Sequence, residues 1–216
     1  MKRRSDNPRP VGFLVGVLAC LAAACPSARA ETVQTVLLMP GTPCETRCWV
    51  KTGETAGPRL FIAGGMHGDE KAGYLAADRL VNWRITKGTL ILVPRAHQMA
   101  IARGERAYPG NMNAMFPGDP AGDLMHRLAH SIWRTIVDHQ PDLVVTLHES
   151  VGFHRDEPAR YGQTLTYDFD VLTPLMQAII ARGLIPVLSI KHQNAARIAR
   201  FQSVAEPAAP LAGRWR

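Results

Sequence analysis

Residues 60–73 read Leu60-Phe61-Ile62-Ala63-Gly64-Gly65-Met66-His67-Gly68-Asp69-Glu70-Lys71-Ala72-Gly73. The first four form an apolar run flanked by glycine and proline, the pattern of a strand covered on both faces. The glycines open the backbone into a turn. From Lys71 a helix is predicted to Trp83, with Tyr74, Leu75, Leu80 and Val81 on its apolar side. A buried strand that passes through a glycine-rich turn into a helix is an α/β building unit.

The alternation continues on either side. Val33–Met39 and Cys48–Lys51 read as short strands around Pro40-Gly41-Thr42-Pro43, and Thr89–Val93 as a strand ended by Pro94. Residues 123–139 carry the clearest helical signal: Leu124, Leu128, Ile132 and Ile136 recur at 3.6-residue spacing, flanked by Met125, Ala129, Trp133 and Val137. Pro141 stops that helix, Leu143–Leu147 follows as a central strand, and Val171–Arg182 is a further amphipathic helix with Gly183 as its cap. Strands and helices at this spacing predict an α/β sheet with helices on both faces. Ligands of such sheets bind beyond the carboxyl ends of the strands.

The 216 residues and 46% apolar content suit one domain. Residues 1–30 are set aside as a signal peptide: a basic start at Lys2, Arg3 and Arg4, an apolar core from Val11 to Cys25, and Ala28-Arg29-Ala30 before Glu31. The apolar core is short of the ~20 residues of a membrane span, so the expectation is export to a periplasm or beyond, with no transmembrane segment after cleavage. A lipoprotein signal at Cys20 or Cys25 is the weaker reading, because neither has the usual lipobox context. The leader holds five of the 25 basic and one of the 18 acidic residues, leaving 20 against 17, or +3 in place of +7. No basic run interleaved with aromatics is present, so no nucleic-acid partner is expected. Cys44 and Cys48 remain after cleavage. An oxidising compartment permits a disulfide, yet residues four apart in a regular strand lie ~13 Å from each other, beyond bridging range. A turn at Glu45-Thr46 would bring them together, and both outcomes stay open.

His67 and Glu70 stand at i, i+3 where the turn enters the helix, so imidazole and carboxylate can converge on one ion. A second strand-end histidine, His148, closes Leu143-Val144-Val145-Thr146-Leu147. Two His and one Glu, with a fourth position for water, is the donor set of a catalytic zinc. The competing reading is a helix start with Asp69 as N-cap and Glu70 against the helix dipole; three glycines in the turn favour the metal. Glu149 faces away from His148 in a regular strand and is read as structural. His126 and His130, at i, i+4, are read as solvated side chains of the long helix. Residues 148–167 form a long polar loop in which Phe153, His154, Arg155 and Tyr161 could line a pocket.

Taken together, Gly64 to Gly73, Gly104-Glu105-Arg106, Phe116-Pro117-Gly118 and His148 at a strand end resemble the succinylglutamate desuccinylase/aspartoacylase family, related in fold to the zinc carboxypeptidases. The resemblance spans roughly residues 33–170 and implies a mixed, largely parallel sheet. It implies zinc held by His67, Glu70 and His148, Arg106 as polariser of the scissile carbonyl, and Asn113 with its flanking loop as part of the substrate pocket; Arg155 and Tyr161 are substrate-binding candidates from the 148–167 loop alone. The chain departs from the family pattern in two places. Where the family has Asp-Leu-Asn-Arg, this chain has Asn111-Met112-Asn113-Ala114, and a methyl group does not replace an Arg–carboxylate clamp. Arg103, Arg155 or Arg160 could supply the charge from another loop. The family's general base is a glutamate on a late strand; here Glu206, in a Pro/Ala-rich segment, is the choice, and residues 201–216 are expected to be an irregular, truncated or frame-altered tail after a domain over 31–200. The expected function is an exported zinc-dependent hydrolase that cleaves an amide or ester of an N-acyl amino acid or a related small substrate. The alternatives are a carboxypeptidase-like enzyme acting on short or cell-wall peptides, and an inactive zinc-binding remnant.

Overall fold

A computed structural model describes residues 30–151 together with the strands Leu165–Tyr167 and Val187–Ser189. Five strands build the main sheet: β1 (Thr32–Leu38), β2 (Thr46–Thr52), β3 (Thr55–Gly64), β4 (Lys87–Val93) and β5 (Leu143–Leu147), in the spatial order β1-β2-β4-β3-β5. β1 with β2 and β2 with β4 run antiparallel, whereas β3 runs parallel to both β4 and β5. The sheet is mixed, with its parallel part at the end that carries the glycine-rich turn. Two further strands, β6 (Leu165–Tyr167) and β7 (Val187–Ser189), pair in parallel.

Among the described residues three α-helices accompany the main sheet: α1 (Lys71–Val81), α2 (Gln98–Arg103) and α3 (Leu124–His139). Alternation along β3 and β4 assigns their faces. Phe61, Ala63, Ile91 and Val93 pack with Met125, Leu128, Ala129 and Ile132 of α3, while Ile62, Leu90 and Leu92 pack with Ala77, Leu80 and Val81 of α1. Both faces of the central strands are therefore covered, which is why their sequence is continuously apolar. Leu128 and Ile132 are wholly enclosed, and each contributes about 1.5–3 kcal/mol by burial.

Several boundaries differ from expectation. β3 begins at Thr55, upstream of the Gly57-Pro58 pair read as a breaker, because a register shift between Thr55 and Arg59 accommodates the two residues. α1 ends at Val81 because the buried Lys51 ammonium donates to the carbonyls of Val81 (2.9 Å) and Trp83, closing the helix end with a cation. α2 has no counterpart in the sequence reading. Part of the stretch read as loop, 165–167, is strand. The predicted helix Val171–Arg182 lies outside the described residues. Cys44 and Cys48 are free and buried, and Cys44 Sγ lies 3.5 Å from Met99 Sδ. Burial pushes the Cys48 thiol up to about 12. Among the described residues no helix is long and apolar enough to cross a membrane.

Candidate metal centre

The register of the parallel strands creates the site. Gly64, the last residue of β3, pairs with Leu147, the last of β5, so His67 and His148 leave the sheet side by side at its carboxyl edge. Gly65 adopts φ +69°, and a Cβ there would meet Ile101 Cδ1 at 2.7 Å. At Gly68 a Cβ would fall 2.0 Å from the Ala100 carbonyl oxygen; the turn presses against α2 too closely for a side chain. The Gly68 N–H donates to Glu105 O at 3.0 Å, which sews the loop carrying Arg106 to the turn.

Glu70 directly precedes α1. It holds the N-cap position that the capping alternative gave to Asp69, and its side chain makes no capping bond to the helix. Glu149 instead accepts the Ala72 N–H at 2.7 Å, the structural role expected of it, and frees Glu70 to turn inward. Glu70 Oε1 meets His67 Nδ1 at 2.7 Å and accepts from Arg106 Nη1 at 2.6 Å; Oε2 meets His148 Nδ1 at 2.7 Å and accepts the Glu149 N–H at 3.3 Å. Burial opposes the carboxylate charge, but the bonds from His148 and His67 and their positive fields outweigh it and hold the group far below the usual carboxylate range.

One donor atom from each of His67, Glu70 and His148 lies within 4.8 Å of the others. His67 and Glu70 are buried, whereas His148 is open on one side, with 34% of its side chain exposed. The imidazole rings lie 5.1 Å apart, tilted by 49°. Two imidazoles and one carboxylate, with an open side, suit a zinc ion that keeps one position for water. A buried nitrogen without a partner costs ~1–3 kcal/mol, and His67 Nε2 has none among the described residues.

Arg106 reaches the cluster through Glu70 while 59% of its side chain stays exposed. Asn113 is half-buried on a short 3-10 helix, Met112–Ala114, with Ala114 exposed beside it. Arg155, Tyr161 and Glu206 lie outside the described residues, as do Phe153, His154 and Arg160. Arg103 stacks over the Tyr108 ring at 3.6 Å and pairs with Glu105 at 3.7 Å. His126 is partly exposed and bonds Asp123, the side chain that caps α3. The sequence reading overlooked His97, which is fully buried next to the turn. Burial pushes its imidazole down, against the Gly110 carbonyl and together with His67. A lone histidine after a strand carries no spacing signal; only the fold brings it here.

Residues 56–152 match the family model described as the succinylglutamate desuccinylase/aspartoacylase catalytic domain, a span that contains the whole cluster. Over these residues the chain is similar to that family's catalytic domain. A curated relative, the N-alpha-acetyl-L-2,4-diaminobutyric acid deacetylase of Halomonas elongata, is 37% identical over 105 residues, covering 46% of this chain and 30% of its own length. An aspartoacylase family protein from Mesorhizobium loti superposes with a TM-score of 0.59 at 22% identity, over 84% of this chain and 61% of that one. The D,L-carboxypeptidase Csd4 of Helicobacter pylori, in its mDAP-bound form, gives 0.57 at 22% identity, over 64% and 39%. The two structural likenesses are likenesses of fold. The chain spans under a third of the curated relative's length and about three fifths of the Mesorhizobium loti structure.

Proposed function

We propose that this chain is a zinc-dependent hydrolase of the deacylase type, cleaving the amide, or an ester, of an N-acyl amino acid or related small substrate. The observation that carries the proposal is the convergence of His67, Glu70 and His148 at the carboxyl edge of the sheet. The activity of the Halomonas elongata relative, a deacetylase of an acylated amino acid, supports the substrate class.

When bound by these three side chains, zinc would supply Lewis-acid charge and lower the pKa of water from 15.7 to roughly 7. The protein's own groups do the rest. The Arg106 guanidinium donates to Glu70 Oε1 at 2.6 Å and the Glu149 N–H to Oε2 at 3.3 Å, and both favour the ionised carboxylate. Arg106 carries five N–H groups in a planar fork; with one on Glu70, others remain to receive the oxyanion that forms on the scissile carbonyl. Glu149, whose N–H reaches Glu70, has its carboxylate engaged by the Ala72 N–H. Glu206 is therefore proposed as the base that takes a proton from water and returns it to the leaving amine. Asn113, Arg155 and Tyr161 are proposed to contact the substrate. Residues 1–30 are proposed to direct export to a periplasm or beyond.

The test is turnover of N-acetyl amino acids against short peptides by purified, zinc-loaded protein, alongside Glu206→Gln. Release of free acid and amino acid, abolished by the substitution, is the expected result. Shortened peptides would favour the carboxypeptidase alternative, and zinc binding with no turnover of either class the inactive one. Export is tested by the N-terminal sequence of the periplasmic protein, expected to begin at Glu31; retention of residues 1–30 in the cytosolic fraction would overturn it.

A further inference from the structure

Beside the cluster two buried nitrogens, His67 Nε2 and His97 Nδ1, lack a hydrogen-bond partner among the described residues. Both rings are enclosed, His67 at 2% and His97 at 0% exposure. The backbone holds them in one place: the His97 N–H donates to Gly65 O at 2.9 Å and the Ala96 N–H to Gly64 O at 2.9 Å. The start of α2 is thereby fixed against the turn that leads to His67, and the field of the His67 ring reaches His97.

Their chemistry is complementary. His97 Nε2 lies 3.2 Å from Gly110 O. A carbonyl only accepts, so Nε2 carries the proton and Nδ1 of the neutral ring is an acceptor. His67 presents Nδ1 to the Glu70 side of the cluster. A neutral imidazole that offers its Nδ1 lone pair to a cation keeps its one proton on Nε2. One ring therefore holds a buried unsatisfied acceptor and the other a buried unsatisfied donor.

We propose that His97 is a positioning residue: its Nδ1 accepts, through one buried water, from the Nε2 proton of His67 and fixes His67 in the tautomer and orientation that bind a divalent cation. The inference rests on the metal reading of the cluster and adds to it the group that orients the buried ligand. Partners of this kind, when removed, lower metal affinity by ~10–100-fold.

Two substitutions separate this role from mere packing. His97→Asn keeps an acceptor oxygen near the place of Nδ1 and loses the N–H to Gly110. His97→Gln keeps an N–H toward Gly110 and loses the acceptor. Zinc dissociation constants by chelator competition on the intact chain, with the thermal midpoint of each metal-free protein, provide the readout. His97→Gln is expected to weaken zinc at least ~10-fold with its midpoint unchanged, while His97→Asn stays close to wild type. With 15N-labelled histidine, zinc-loaded wild type is expected to show His67 protonated at Nε2. The reverse order of affinities, two variants equal to wild type, or equal weakening with lowered midpoints would each overturn the proposal. Wild type that binds no zinc would instead overturn the metal reading on which it rests.

Discussion

Gly73→Ala tests how the fold delivers His148 to Glu70. Gly73 lies in the first turn of α1, and a Cβ there would stand 2.4 Å from the Leu147 carbonyl oxygen, 3.0 Å from its carbon and 3.5 Å from His148 Cα. An ordinary C···O contact is ~3.3 Å or more, so helix start and strand end must separate by close to ~1 Å. Both partners are backbone in paired elements, and neither can swing away as a flexible side chain would. Overpacking of this kind costs about 1–3 kcal/mol. Separation also strains the Glu149 bond to the Ala72 N–H, while the helix propensity gained by alanine offsets at most ~1 kcal/mol. The net expectation is destabilisation by about 1–2 kcal/mol, or a fall of roughly 2–8 °C in thermal midpoint at ~2–4 °C per kcal/mol. Zinc affinity should fall with it, because the step is taken between Glu70 and His148. A variant at least as stable as wild type, with unchanged zinc affinity, would refute the wedging of α1 against β5.

Lys51→Met keeps the buried stem but removes the cation shared by Val81 O, Trp83 O and Glu31. It should cost about 2–3 kcal/mol, read as a lower urea midpoint; an unchanged midpoint would show that the bonds contribute nothing. Cys48, whose folded-state thiol is pushed up to about 12, favours the fold below its ordinary pKa of ~8.5 and loses that contribution as pH rises toward 12. Cys48→Ala should therefore lose less stability than wild type over pH ~8.5–12, and native Cys44 and Cys48 should resist alkylation until unfolded; equal slopes or rapid native labelling would contradict this. Arg106→Ala should lower kcat ~10²–10³-fold, about 3–4 kcal/mol, with zinc content retained; wild-type kcat would remove Arg106 from the mechanism.

The parallel heart of the sheet was legible because Leu60–Ala63 and Leu143–Leu147 are apolar runs too short for helices and bounded by Gly or Pro. α3 was legible to within one residue, since Asp123 caps it and its stripe runs unbroken. α2 was not: its six residues between Pro94 and Gly104 are too few to display a period. The start of β3 was hidden by Gly57-Pro58, which a register shift absorbs. Of the site, His67, Glu70 and His148 could be named from residue type and position at strand ends. Their proximity depends on the Gly64–Leu147 register, which the sequence carries only as the expectation of adjacent parallel strands. Arg106 on Glu70, Glu149 on the helix start and the His97 N–H on Gly65 O are contacts between distant segments and have no local signature.

Metal analysis of the purified chain is the most direct measurement: zinc per chain for wild type and for His67→Ala, Glu70→Gln and His148→Ala. One ion per chain in wild type, lost in each variant while the protein stays folded, is the expected result. Wild type without metal in zinc-supplied preparations, or His148→Ala that keeps its full complement, would contradict a shared site.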